Sequence, residues 1–276
     1  MTHQHPILVI NCSGKIGSRV AANLAALAVP HRGVSRRTAI RFDWQDETTW
    51  PAALAGTKAA FVSFVPDLAA PEALPIMQRF VEAAREAGLT KLVLLTGRGE
   101  IGAIAAENVV RASGLAWTVV RAAWFNQNFS EGHLLDSVFE GHLYMPAADR
   151  AEPFVDAGDI ADVATAALLD DVHNGQIYDV TGPDLLTFHQ AAALLAAATG
   201  RPYQYVPVTL DEFHAGLVEA LGVEWADLLR TVADETLDGR NSWVGDGVQR
   251  AIGRQPHAFA DFCAQAYASG SWSQAA

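Results

Sequence analysis

Pro6-Ile7-Leu8-Val9-Ile10-Asn11-Cys12-Ser13-Gly14-Lys15-Ile16-Gly17 is the stretch that decides the fold. Its opening run is short, apolar and β-branched, as expected of a first strand buried on both faces of a parallel sheet. Asn11–Gly17 then turns the chain, and Ile16, Val20, Leu24 and Leu27 recur at helical spacing. A glycine turn between such a strand and its helix lets backbone N–H groups approach a pyrophosphate, and the helix N-terminus adds a partial positive charge. The spacing is Asn11-x-x-Gly14-x-x-Gly17, with asparagine where a dinucleotide fingerprint has its first glycine. Asparagine tolerates a left-handed backbone, so the turn survives the exchange. Gly14 is then the residue that admits phosphates, and Gly17 the one that lets helix and strand pack closely. The alternative is an ordinary strand–helix turn with no ligand. Lys15 is followed by Ile16 and lacks the upstream glycine of a Walker loop, which speaks against an NTP-hydrolysing loop.

Working outward, Arg32–Ser35 reads as a second strand, Ala39–Phe42 as a third and Lys58–Phe64 as a fourth. A helix through Met77, Phe80, Val81 and Ala84 ends at Gly88. Lys91–Leu95 is a fifth strand, and a helix from Ala103 to Ala112 stops at Ser113-Gly114. Trp117–Arg121 is a sixth strand. Strands alternating with helices imply an α/β architecture, a doubly wound, Rossmann-like parallel sheet built from right-handed crossovers. Beyond Trp124 the pattern loosens into helical stretches at 160–169, 188–198, 210–221 and 225–237, separated by short strands at 177–180 and 204–208. These predict a smaller, mainly helical C-terminal lobe over the carboxyl edge of the sheet. The division expected is 1–155 for the nucleotide-binding part, with later segments returning to it, and 156–276 for the substrate lobe. No internal repeat or low-complexity linker interrupts it.

The end of the second strand selects the cofactor. An acidic side chain there suits the ribose hydroxyls of NAD, whereas arginine suits the 2′-phosphate of NADP. The chain offers Ser35-Arg36-Arg37 and no acid, in a sequence with only 19 lysines and arginines. Guanidinium groups pair well with phosphate oxygens and a serine hydroxyl adds a bond, so NADP(H) is the cofactor expected. Two solvated surface arginines are the plain alternative. Asp43-Trp44 either flanks the adenine or contributes Trp44 as a core anchor. Ser63, Phe64 and Val65 at the end of the fourth strand, and Thr96, Gly97 and Arg98 after the fifth, complete the expected cofactor-binding set with Asn11, Ser13, Gly14, Lys15, Ile16 and Gly17.

Half of the 276 residues are hydrophobic and 18% charged, which fits a globular protein and argues against disorder. A net charge of −12 disfavours attraction to nucleic acid or anionic membranes. Nothing is apolar for long enough to span a bilayer. The opening Met1–Pro6 lacks the charged and apolar regions of a secretory signal, and Cys12 and Cys263 stand alone, so the cytoplasm is expected. A small molecule is the partner expected, and a homodimer is left open. The histidines lack ligand spacing, so no metal is expected.

These residues resemble the NmrA-like branch of the atypical short-chain dehydrogenase/reductases. The resemblance rests on Ser13-Gly14-Lys15-Ile16-Gly17, on Ala112–Arg121 and on Phe154–Ala164, and it covers most of the chain. Leu95–Glu100, Trp124–Glu131 and Leu237–Asn241 look like the subgroup of ergot-alkaloid reductases of the festuclavine and agroclavine type. That resemblance implies NADPH-dependent reduction of an iminium carbon. Asn11 is the departure from the family pattern.

Typical members of the wider superfamily use a Tyr-x-x-x-Lys pair. Here the only lysines are Lys15, Lys58 and Lys91, and none lies four residues after a tyrosine. Thr96 stands where the usual serine would be. Hydride transfer to a ketone builds an alkoxide and benefits from a proton donor, whereas transfer to an iminium neutralises charge and needs none. A site without the pair therefore suits an imine, an activated alkene, or no redox reaction. Trp124, Phe125 and Asn128 are the candidate substrate residues, with core packing as the alternative. Tyr144 is the tyrosine placed nearest the cleft, and it and Asn128 are the weak catalytic candidates. Arg98 meets either a phosphate or anionic substrate, or solvent. Asp156 and Asp159 are expected to cap a helix, and Glu100 and Glu107 to face solvent. The leading reading is an NADPH-dependent reductase of a small imine, iminium or activated alkene. An NADP(H)-sensing regulator and a non-redox cyclase or isomerase are the alternatives.

Overall fold

The computed structural model describes residues 5–273; Met1–Gln4, part of the opening segment expected to lack a secretory signal, and Gln274–Ala276 lie outside the described residues. The first half builds the sheet in order: β1 (Ile7–Ile10), α1 (Lys15–Ala26), β2 (His31–Val34), α2 (Trp50–Leu54), β3 (Ala59–Val62), α3 (Ala73–Glu86), β4 (Lys91–Gly97), α4 (Ile101–Arg111) and β5 (Ala116–Ala122). Next come α5 (Asn128–Glu131), α6 (Leu135–Glu140), β6 (His142–Met145), β7 (Ala151–Glu152), α7 (Ala157–Leu169) and β8 (Gln176–Val180). The chain continues through β9 (Leu186–Thr187), α8 (Phe188–Thr199), β10 (Gln204–Pro207), α9 (Leu210–Leu221), α10 (Val223–Thr236), α11 (Gly247–Ile252) and α12 (Phe259–Ala268).

The main sheet is six-stranded, in the order β2-β1-β3-β4-β5-β8, and every pairing is parallel. Alternate side chains of its strands feed two separate cores, as the period of two requires. Leu8, Ile10, Ala60, Val62, Leu92 and Leu94 face α3, α4 and an aromatic group of Phe42, Trp44, Trp50 and Phe80. Ile7, Val9, Phe61, Val93 and Val120 face α1, α7 and Val248 of α11. All four residues of β1 are buried, and each large side chain so covered contributes roughly 1.5–3 kcal/mol. The order reverses at β1, since α1 carries the chain to β2 on one side and the next crossover returns it to β3 on the other. A crevice outside the carboxyl ends of the strands is expected at that point.

Two departures from the sequence pattern concern strands. The third strand expected at Ala39–Phe42 is absent: Ser35 and Arg41 make one isolated bridge. The Thr38 hydroxyl bonds to the backbone of Ser35 and Ile40 and folds the chain into a tight turn, and Ala39–Arg41 are exposed. Strand 177–180, by contrast, belongs to the main sheet as β8, against β5.

A third core, under the C-terminal segments, centres on Phe129, Phe154, Phe188 and Phe259, whose rings meet at 5.2–6.4 Å. The helices that enclose it start cleanly. Thr187 with Gln190 and Thr209 with Glu212 each form a reciprocal capping box at the first turns of α8 and α9. Gln127 ties the junction, accepting the Ala157 N–H at 2.7 Å and donating to Asp156 at 2.8 Å. Asp156 caps α7 through the Gly158 N–H, as expected; Asp159, fully buried, instead binds Arg254 and His257.

Candidate active site

At the end of β1 the backbone of Asn11 is left-handed, with φ of 58°. Gly14 donates its N–H to the Asn11 carbonyl at 2.9 Å and caps α1, whose first turn carries no acid. Gly17 is sterically required by the backbone, whereas Gly14 lies under the Asn11 side chain. A Cβ on Gly14 would sit 2.5 Å from Asn11 Nδ2, and one on Gly17 would overlap the Asn11 carbonyl oxygen. Asparagine therefore makes the turn that a first glycine makes elsewhere, and Gly17 seats the helix against it. The free N–H groups of the first helical turn are left at the crevice.

The crevice has two connected parts. The first, of about 960 Å³, lies between Asn11 and Ser13, the end of β2, Asp43–Gln45, residues 69–72 and α10. Ser35, Arg36 and Arg37 line it. Both guanidinium groups are exposed, and neither makes an ion pair among the described residues, while the Ser35 hydroxyl accepts the Arg37 N–H at 3.2 Å. Asp43 is held by Arg41 at 2.8 Å. Trp44 is 5% exposed, donates from Nε1 to the Ser63 carbonyl at 3.1 Å and packs on Phe42, Phe64 and Phe80, so it anchors the core while one edge lines the crevice.

The second part, of about 400 Å³, extends over the ends of β3, β4 and β5. It shares Asn11, Val65, Pro66, Trp225 and Leu228 with the first, so the two form one path roofed by α10. Lys15, Ile16, Ser63, Phe64, Thr96, Gly97, Trp124, Phe125 and Asn128 all line it. Lys15 donates to Asn128 Oδ1 at 2.9 Å, and burial, its largest influence, lowers its pKa. Trp124 is fixed by a 2.9 Å bond from its indole to Thr236 of α10. His133 stands edge-on to Trp124; burial first, and Lys15 second, hold its pKa down to about 4, so its ring is neutral at physiological pH.

Beneath this floor lies a polar layer. The Thr96 hydroxyl donates to Glu107 Oε1 at 3.0 Å, and Arg121 binds both oxygens of the same carboxylate at 2.8 and 2.5 Å. Glu107 is 1% exposed. The expectation that it and Glu100 face solvent is therefore wrong: α4 turns these positions toward β4 and β5, and each carboxyl is buried. Glu100 is 5% exposed, rests on Gly97 so closely that a Cβ there would overlap it, and lines the cavity with Asp67.

Arg98 lines the second part of the crevice and does not face solvent, the alternative given for it. It is 4% exposed, and its guanidinium donates to the carbonyls of Asn241 at 3.1 Å and Trp243 at 3.0 Å and stacks 3.8 Å from the Trp243 ring. Asn241 answers with a 2.8 Å bond to the Arg98 carbonyl. The segments Leu95–Glu100 and Leu237–Asn241 are thus one clasp, held by the Arg98 guanidinium. Tyr144 is on β6, 45% exposed beside His142, and lines neither part of the crevice. Among the described residues, no helix is long and apolar enough to cross a membrane, and no group of three His, Cys, Asp or Glu residues is placed to hold a metal ion.

No family model matches the chain. An NAD(P)H azoreductase from Xenophilus azovorans is 33% identical over 95% of this chain and 98% of its own length. The agroclavine dehydrogenase of Claviceps fusiformis is 30% identical, covering 93% and 95% respectively. Among solved structures, the NADPH-dependent quinone oxidoreductase QOR2 of Escherichia coli, complexed with NADPH, superposes with a TM-score of 0.81 at 20% identity, over 95% of this chain and 99% of that one.

Proposed function

The chain belongs to the NmrA-like branch of the atypical short-chain dehydrogenase/reductases, and from that premise we propose that it is an NADPH-dependent reductase of a small imine, iminium or activated alkene. The observation that carries this reading is the single crevice with two unpaired arginines at one end and an aromatic, polar-floored chamber at the other. The residues fit the cofactor: the left-handed Asn11 turn seats Gly17 directly against its carbonyl and brings the start of α1, at Lys15 and Ile16, to the crevice, where a pyrophosphate would meet the helix N-terminus. Ser35, Arg36 and Arg37 would take the 2′-phosphate, with Asp43 and the edge of Trp44 at the adenine end. Ser63–Val65, Lys15, Thr96 and Gly97 would flank the nicotinamide part. When bound, the reduced nicotinamide supplies hydride to the acceptor.

The protein's own contribution is mainly orientation. Trp124, locked by Thr236, and Phe125 form a wall on which a planar cation rests favourably. Trp225 and Leu228 of α10 line both parts of the path and give it an apolar side. Lys15 fixes Asn128 so that its amide faces the chamber in one orientation. The names of the similar proteins support a reductase using a nicotinamide dinucleotide. NADPH oxidation followed against cyclic iminium salts, imines and enones tests the reading. Turnover of a member of this panel is expected, and failure to bind either NADPH or NADH would overturn it.

A further inference from the structure

The second cavity contains a pair of carboxyl groups with no part in the reading above. Asp67, after β3, and Glu100, at the start of α4, line it together, and their settings differ. Burial raises the pKa of Asp67, but its Oδ1 accepts the Ala69 N–H at 2.8 Å and it is hydrogen-bonded to the Glu100 carboxyl, both of which favour its ionised form relative to Glu100. Glu100 Oε2 meets no donor at all, although the residue is 95% buried against Gly97. Glu235 of α10, which accepts the Ile101 N–H at 2.8 Å, faces the pair from the lobe and adds a further negative charge. Carboxylates crowded in a dry site do not all stay ionised. The charge settles on Asp67, which has the N–H, and the proton on Glu100, which has none. Burial first, then Asp67 and Glu235, hold Glu100 well above the ordinary carboxylate range.

We propose that Glu100 is the proton donor of this site, passing its carboxyl proton to the heteroatom of a neutral acceptor, a quinone oxygen or an azo nitrogen, with Asp67 as its positioning residue. The proposal rests on the reductase reading and widens it beyond iminium substrates, which need no proton. A neutral acceptor takes a hydride, from reduced nicotinamide, on one atom of its conjugated system. The O–H bond of Glu100 then breaks, its proton bonds to the acceptor heteroatom, and the electron pair remains on the carboxylate. Asp67, half-buried at the cavity wall, relays the replacement proton from water.

Two measurements test this. The first is infrared spectroscopy on the cofactor-free protein at pH 7, wild type against Glu100→Gln. A protonated carboxyl band, lost in the variant, is expected; a wild type without that band overturns the proposal whatever its activity. The second compares NADPH oxidation by a quinone and by a cyclic iminium salt. Glu100→Gln should lower the quinone-to-iminium ratio of kcat by ~100-fold or more, and wild-type quinone turnover should fall as pH rises through the Glu100 pKa. An unchanged ratio with the band present shows a buried acid that transfers no proton and overturns the donor role. Absence of nucleotide binding, with the band present, marks failure of the reductase reading itself and takes the donor role with it.

Discussion

Replacing Arg36 and Arg37 by alanine, singly and together, addresses the nucleotide end of the crevice with little collateral loss. Both guanidinium groups are exposed and neither holds an ion pair among the described residues, so truncation removes no internal contact and leaves no buried charge behind. The whole effect should fall on a bound 2′-phosphate. Hydrogen bonds to charged groups are worth ~1.5–3 kcal/mol, and exposure at the crevice mouth places these at or below the lower end of that range. At 1.4 kcal/mol per tenfold, each substitution should weaken NADPH binding by about tenfold and the pair by up to about 100-fold. NADH, which lacks the phosphate, should bind the wild type and all three variants alike. Fluorescence titration of each nucleotide at low and high salt reads this directly, and the NADPH effect should shrink as screening increases. If NADPH and NADH weaken together, the arginines support the loop and do not read the phosphate, and the NADP assignment fails.

Three further perturbations bear on the framework. Gly17→Ala forces a methyl against the Asn11 carbonyl in a turn already fixed at φ 58°, so a loss of ~1–3 kcal/mol is expected, with weaker nucleotide binding, measured by thermal melts and titration. Glu107→Ala leaves Arg121 without its bidentate partner and the Thr96 hydroxyl without an acceptor; urea melts should show a loss of ~3–5 kcal/mol, and a neutral result would mean that solvent replaces the carboxylate. Glu152, 1% exposed with both oxygens unpaired, has its pKa raised to about 8 by burial, against the counter-pull of Arg98. Because the folded pKa lies above the unfolded one, its contribution to stability is complete below the unfolded pKa and is lost as pH rises toward 8. Glu152→Gln should thus gain on the wild type by roughly 1.4 kcal/mol per pH unit between pH 5 and 8 in chemical melts, and parallel pH profiles would contradict that shift.

The parts of the fold legible in the sequence are those where local pattern and tertiary role coincide. β1 and the turn after it are such a case, since a run buried on both faces followed by Asn11, Gly14 and Gly17 has few other uses. The helices at 188–199 and 210–221 are another, since Thr187 and Thr209 mark their starts. Ala39–Phe42 misled because a β-branched residue and an aromatic resemble a strand, while the hydroxyl of Thr38 had already committed the chain to a turn. Strands 177–180 and 204–207 look alike in sequence, yet one joins the main sheet and the other pairs with β6, a choice set by the distant segments they meet. Glu107 and Glu100 were opaque for a similar reason. A carboxylate on a short helix reads as solvated unless Arg121 or Asp67, brought in by other strands, is known to stand opposite.

The position of Arg98 gives these distant meetings a consequence for the site. Its guanidinium holds Asn241 and Trp243, and Asn241 returns a bond to its carbonyl, so the loop after β4 cannot move apart from the segment that follows α10. That same loop carries Gly97 and Glu100, while α10 carries Glu235, Thr236 and the roof residues Trp225 and Leu228. The acid, the wall at Trp124 and the cover over the chamber are therefore tied through one clasp. Shortening Arg98 to lysine would remove the two-pronged contact and the stacking that a planar guanidinium provides. The loosening should be felt at Glu100 and at the α10 roof together. Hydrogen exchange should quicken in Gly97–Ile101 and in α10 by similar factors; quickening in one alone would show that the clasp does not couple them.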